Sequence, residues 1–169
     1  MNWKSKFIHL TFLLSIAITS CSSNDTPTFT PNLGNAPTTP NLIDLTNLIN
    51  DLRENGQKCS GTQYEAVPEL MFNETLNQVA TSHAEYMNSI DELTHSGEND
   101  STIGDRATAA GYDYTTISEN LAKGYADENS VIDAWKNSAG HCENIMNPDV
   151  REMGVGTSGA YWVMVYGVE

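Results

Sequence analysis

The chain has 169 residues, 22 Asp+Glu against 8 Lys+Arg, and a formal net charge of −14. Its length suits one domain of roughly 100–200 residues, and a 39% hydrophobic fraction is enough for one core. The acidity excludes nucleic-acid binders, which need a basic stripe to displace phosphate counterions. It also excludes charge-driven attachment to an anionic lipid surface.

In chain order, the first expected element is a removable one. Lys4 and Lys6 precede an apolar run from Phe7 to Ile18, and Ile18-Thr19-Ser20-Cys21 follows. This pattern predicts a secretory signal over 1–20; the run is shorter than the about 20 apolar residues a membrane span needs. Ile-Thr-Ser-Cys resembles the bacterial lipoprotein processing box, which implies cleavage before Cys21 and acylation of it. Several acyl chains anchor stably where one is marginal. Between Ser22 and Pro40 lie Pro27, Pro31, Pro37 and Pro40, with only Phe29 and Leu33 as large apolar residues. Such a segment favours extended, solvated chain, so 21–40 reads as a tether and 41–169 as the folded domain. Loss of Lys4 and Lys6 with the signal leaves the mature chain more acidic still.

Leu42, Leu45, Leu48, Ile49 and Leu52 predict a helix over 41–54, stopped by Gly56. Glu65 to Met71 reads as extended, punctuated by Pro68. Asn73 is a good N-cap with Glu74 in the first turn. The helix it opens carries Leu76, Val79, Ala80, His83, Ala84 and Met87 on one face. A shorter helix over 102–110 ends at Gly111. Asn129 or Ser130 caps another, with Val131, Ile132 and Trp135 apolar and an end at Ser138-Ala139-Gly140. Met153 to Val168 reads as a hairpin turning near Gly159, rich in the strand formers Tyr161, Trp162, Val163, Val165 and Tyr166. Glu119 to Lys123 is a strand that pairs with it. Helices first and a small sheet last give an α+β class.

Gly154-Val155-Gly156-Thr157-Ser158-Gly159 fits a dinucleotide fingerprint by letter, but strand residues follow it where that motif needs a helix. His83-Ala84-Glu85 matches half of a zinc deaminase signature whose Pro-Cys-x-x-Cys half is missing. With Cys21 acylated, Cys59 and Cys142 form an even pair in an oxidising context, suited to a disulfide. The rival reading is a reactive Cys142 activated by a neighbouring His. His83, on an apolar helix face, reads as a hydrogen-bonded core residue. His95 and His141 read as loop residues among small neighbours, where packing explains them poorly and function explains them better.

The domain contains, in order, Leu76-x-x-Val79-Ala80-x-x-His83-Ala84-x-x-Met87, Thr94-His95-Ser96-Gly97, Asp105-Arg106 and Ala110-Gly111-Tyr112. Ser118-Glu119-Asn120-Leu121-Ala122-x-Gly124, Trp135-x-x-Ser138-Ala139-Gly140-His141-Cys142-x-Asn144 and Met153-Gly154-Val155-Gly156 follow. Over nearly all of 41–169 this series resembles the CAP superfamily (SCP domain) of cysteine-rich secretory, antigen 5 and pathogenesis-related 1 proteins, in its secreted bacterial branch. The resemblance implies an α-β-α sandwich, a small antiparallel sheet with helices on both faces. It implies a cleft lined by His95, Glu119 and His141, with Ser138 where animal members carry a second Glu. It also implies a bridge between Cys59 and Cys142.

Two imidazoles and a carboxylate supply three ligands for Zn²⁺ or another divalent cation, with a fourth position open. The expected function is that of an exported, lipid-anchored recognition module of a bacterial envelope. Its partner would be an apolar small molecule, an envelope polymer or a protein. The alternative is a metal- or His-dependent hydrolase in the same cleft, its carboxylate orienting one His as general base.

Overall fold

The computed structural model describes residues 41–169, so the expected signal at 1–20, acylation of Cys21 and tether at 21–40 lie outside the described residues. Side chains alternate across a strand, and the last strand, β6 (Tyr161–Val168), is buried on both faces. It therefore needs a helical layer on each side. Tyr161, Val163 and Val165 pack with Leu76, Val79, Ala80, Ala84 and Met87 of α2 (Glu74–Ile90) and Ala107 of α3 (Ile103–Ala109). Trp162, Met164 and Tyr166 pack into a second core with α1 (Leu42–Asn55), α4 (Glu128–Lys136) and α5 (Ala139–Ile145). This is the α-β-α sandwich expected from the sequence.

The sheet runs β3-β5-β6-β4. β4 (Thr116–Lys123) lies antiparallel to β6 from Thr116↔Val168 to Lys123↔Tyr161. β5 (Glu152–Ser158) and β6 form the expected hairpin, with Gly159 in the turn at φ 56°. The expected strand at 119–123 is thus real and three residues longer at its start. β3 (Met71–Phe72) is the one parallel partner among the described residues of this sheet, beside β5.

A separate small hairpin, β1 (Gln57–Cys59) and β2 (Thr62–Tyr64), has no counterpart in the sequence reading. Strands of three residues are too short to show a period. Its Ser60-Gly61 loop has both residues at positive φ, as a tight hairpin turn requires.

The glycines that imitate a nucleotide motif have a packing role. A Cβ on Gly154 would sit 2.1 Å from the Asn77 backbone nitrogen, and one on Gly156 would sit 2.2 Å from that of Thr81. Helix α2 therefore lies directly on the β5 backbone at these two positions. Gly154→Ala is expected to push α2 off the sheet and to lower the unfolding free energy by about 1–3 kcal/mol. Urea denaturation checks this, and an unchanged midpoint would mean that α2 can shift freely.

Two helix boundaries depart from the sequence reading. Asp127, not Asn129 or Ser130, caps α4, because Asp127 accepts from the Ser130 amide at 2.8 Å while Ser130 serves as the reciprocal partner of a capping box. Helix α4 ends at Lys136, and Ser138-Ala139-Gly140 opens α5, so His141 lies on a helix rather than in a loop. Gly140 in a seven-residue helix is a poor propensity signal, and Ser138 gives no side-chain cap. Tertiary bonds hold α5 instead. The Cys59–Cys142 disulfide ties it to β1, and buried Arg53 donates to the carbonyls of Ile145 (2.6 Å) and Asn147 (3.0 Å) at its far end. Burial lowers the Arg53 pKa to about 10, which leaves it cationic at neutral pH.

Candidate functional site

Glu119 and Asn120 are neighbours on β4, an edge strand, so their side chains leave the sheet on opposite faces. Glu119 reaches the α2–α3 layer and Asn120 the α4–α5 layer. Each layer carries one of the two histidines singled out above, and this pair of residues positions both.

On the first face, Glu119 accepts from His95 Nδ1 through Oε1 at 2.8 Å and from Arg106 Nη2 through Oε2 at 2.8 Å. The Glu119 side chain is 3% exposed, that of Arg106 12% and that of His95 66%. A carboxylate only accepts hydrogen bonds, so Nδ1 of His95 carries the proton, and in the neutral ring Nε2 keeps its lone pair. Arg106 also donates through Nη1 to the carbonyls of His95 (3.1 Å) and Ser101 (2.8 Å). One guanidinium thus fixes both the backbone of His95 and the carboxylate that orients its ring. His83 secures the same loop from below, being 1% exposed with Nε2 2.9 Å from the Thr94 carbonyl. It is the hydrogen-bonded core histidine expected.

On the second face, Asn120 donates through Nδ2 to the His141 carbonyl at 3.0 Å and to the Tyr166 hydroxyl at 3.1 Å. Its Oδ1 accepts from Asn144 Nδ2 at 2.9 Å, and Asn144 donates also to the Glu119 carbonyl at 3.2 Å. Trp135 Nε1 donates to the Leu121 carbonyl at 3.1 Å. Side chains of α4 and α5 thus engage the outer edge of β4, which would otherwise present free backbone groups. His141 is half-buried at a pocket of about 320 Å³ whose wall includes Leu93, Leu121, Ala122, Trp135 and Ser138. Burial, and secondarily the charge of His95, lowers its pKa.

Arg106 is the residue whose role the sequence left open. It stands in the quoted Asp105-Arg106 pair, but only the fold shows that the capping box of Thr102 and Asp105 sets the following side chain against Glu119. Among the described residues, no group of three or more His, Cys, Asp or Glu side chains is placed to share a metal ion. Both Glu119 oxygens are engaged, by His95 and Arg106, so the carboxylate stands behind the His95 ring rather than free beside it.

The two lowered histidines have a consequence for stability. For His83 the main cause is burial, reinforced by the Arg106 charge and opposed by Glu119 and the Thr94 carbonyl. The unfolded chain then binds protons that the folded chain does not, just below the ordinary His value of about 6.5. This contribution to stability is fully present above about pH 6.5 and is lost as the pH falls toward the lowered folded values. His83→Phe is expected to flatten the fall in urea midpoint between about pH 7 and pH 5. A wild-type midpoint that stays level on acidification contradicts the buried neutral state.

The model of the cysteine-rich secretory protein family (CAP) matches residues 46–166. The uncharacterized protein YkwD of Bacillus subtilis is 32% identical over 106 residues, which are 62% of this chain and 41% of that protein. An extracellular SCP-domain protein of Bacillus anthracis superposes with a TM-score of 0.66 at 22% identity, covering 75% of this chain and 40% of that one. An outer surface protein of Borrelia burgdorferi superposes at 0.63 with 25% identity, covering 74% of this chain and 90% of that one. The chain thus spans less than half the length of the two Bacillus proteins.

Proposed function

This chain belongs to the cysteine-rich secretory protein (CAP) family, and on that premise we propose that it is an exported, lipid-anchored recognition module of a bacterial envelope that binds through the His95–His141 cleft. The observation that carries the reading is the state of Glu119. Both of its oxygens are engaged, by Arg106 and His95, so it positions a ring rather than standing free as an acid or base. Beside His141, the apolar wall of Leu93, Leu121, Ala122 and Trp135 suits an apolar group. The extracellular and outer-surface descriptions of the similar structures support export, and no helix among the described residues is long and apolar enough to cross a membrane.

A divalent cation, where bound, would sit on His95 Nε2 and His141 and would supply a Lewis-acid contact to a ligand group. Glu119 would keep His95 in the tautomer that leaves Nε2 free.

The test combines two titrations of the purified protein. Zn²⁺ is expected to raise the thermal midpoint, since a ligand of the native state stabilises it, and to do so no longer in His95→Ala or His141→Ala. An uncharged naphthyl probe is expected to change the fluorescence of Trp135 in a manner lost on Leu93→Asp. Absence of both responses overturns the reading. A hydrolytic activity abolished by His141→Ala would replace it with the enzyme alternative.

A further inference from the structure

Helix α1 ends in Asn55-Gly56, the one Asn-Gly pair in the sequence. Each residue has a structural reason to be there. Asn55 is exposed, and its Nδ2 donates to the Asp51 carbonyl one turn back at 2.8 Å, which fastens the last turn. Gly56 leads the chain from α1 into β1 at φ 70°. A Cβ there would stand 2.7 Å from the Tyr64 carbonyl oxygen and 3.3 Å from the Ala66 nitrogen. Both are main-chain atoms, so only glycine fits, by its space as well as by its φ.

The two requirements together create a reactive pair. A glycine has no side chain to shield its backbone nitrogen, which can therefore reach the preceding carboxamide. Helix α4 supplies a matched comparison within the chain. Its C-cap Asn137 is also exposed and donates through Nδ2 to the Asp133 carbonyl at 2.7 Å, but Ser138 follows it.

We propose that Asn55 is a modification site that deamidates spontaneously, through a succinimide, to aspartate and isoaspartate. The Gly56 nitrogen attacks Asn55 Cγ. The N–Cγ bond forms, the Cγ–Nδ2 bond breaks, and Nδ2 leaves as ammonia with the proton given up by Gly56. Water then opens the ring, giving aspartate by attack at Cγ and isoaspartate by attack at the main-chain carbonyl carbon. Ring closure takes Asn55 out of its helical conformation. Asn55 is the last residue of α1, and helix ends open at little cost.

Three consequences meet at the junction of α1 and β1. A carboxylate cannot donate, so the bond to the Asp51 carbonyl is lost. The new negative charge joins Asp51 and Glu54 at the negative end of the helix dipole. Isoaspartate also lengthens the main chain by a methylene, directly before the glycine seated against Tyr64 and Ala66. That segment leads to Cys59 and its bridge to α5.

The experiment incubates the purified full chain in warm, mildly alkaline buffer without denaturant. Peptide mass spectrometry follows each asparagine, and electron-transfer fragmentation separates the two products. The Asn55 carboxamide is expected to be lost, with isoaspartate among the products, while Asn137 stays intact over the same period. Asn55→Gln is expected to show no conversion at that position, because its longer side chain cannot close the same ring. Asn55→Asp is expected to lower the urea midpoint, as ageing does. An Asn55 that stays intact in the folded protein, converts only when urea unfolds it, or converts no faster than Asn137 overturns the proposal. A urea midpoint unchanged in Asn55→Asp overturns the structural consequences.

Discussion

Arg106→Met is expected to lower the unfolding free energy by about 3–5 kcal/mol, the usual cost of removing one partner from a buried ion pair. The cost arises because Glu119, with a side chain 3% exposed, would keep its charge without its cation. The same substitution removes the two bonds that hold the carbonyls of His95 and Ser101, so the His95 loop should loosen. A double variant, Arg106→Met/Glu119→Met, should recover a large part of the loss, since a matched apolar pair leaves no charge stranded. Guanidinium denaturation of the three variants checks this. A single-variant loss below about 1 kcal/mol would place the pair among ordinary surface salt bridges.

Cys59→Ala/Cys142→Ala is the second large effect. The bridge spans a sequence separation of 83, and closing a loop of that size stabilises the fold by about 4–5 kcal/mol in the chain-entropy account. The loss should fall unevenly on the structure. Helix α5 lacks a side-chain cap and begins three residues before Cys142, so amides at 139–145 should lose hydrogen-exchange protection before those of β6. An unchanged denaturation midpoint, or protection lost uniformly, would show that α5 is held by its other bonds alone.

Much of this architecture was legible because long amphipathic elements announce their faces. All six residues expected on the buried face of α2 are its buried residues, and Asn73 caps it as expected. The unbroken run of strand formers from Tyr161 to Tyr166 likewise identifies a strand, and its lack of polar positions fits burial on both sides. The errors lie where several local signals compete or where tertiary contacts decide. Asp127, Asn129 and Ser130 are all good cap formers, and only the reciprocal box between Asp127 and Ser130 selects the first. Helix α5 carries Gly140 and no cap, so its existence depends on Cys59, Arg53 and Asn120, all distant in sequence. The site follows the same division. His95, Glu119 and His141 were visible as chemistry-bearing residues in a recognisable order. Neither the opposite roles of Glu119 and Asn120 nor the part played by Arg106 could be read before β4 was known to be an edge strand between two helical layers.

Glu119, held by Arg106, fixes the His95 ring with its free nitrogen away from the carboxylate. Nitrogen-15 NMR of the imidazole side chains above about pH 8, where unperturbed histidines are neutral, measures this directly. His95 is expected to be a single tautomer with a protonated Nδ1 and a bare Nε2, and Glu119→Gln is expected to abolish this preference. A His95 ring protonated at Nε2, or averaging freely between tautomers in the wild-type protein, would contradict it.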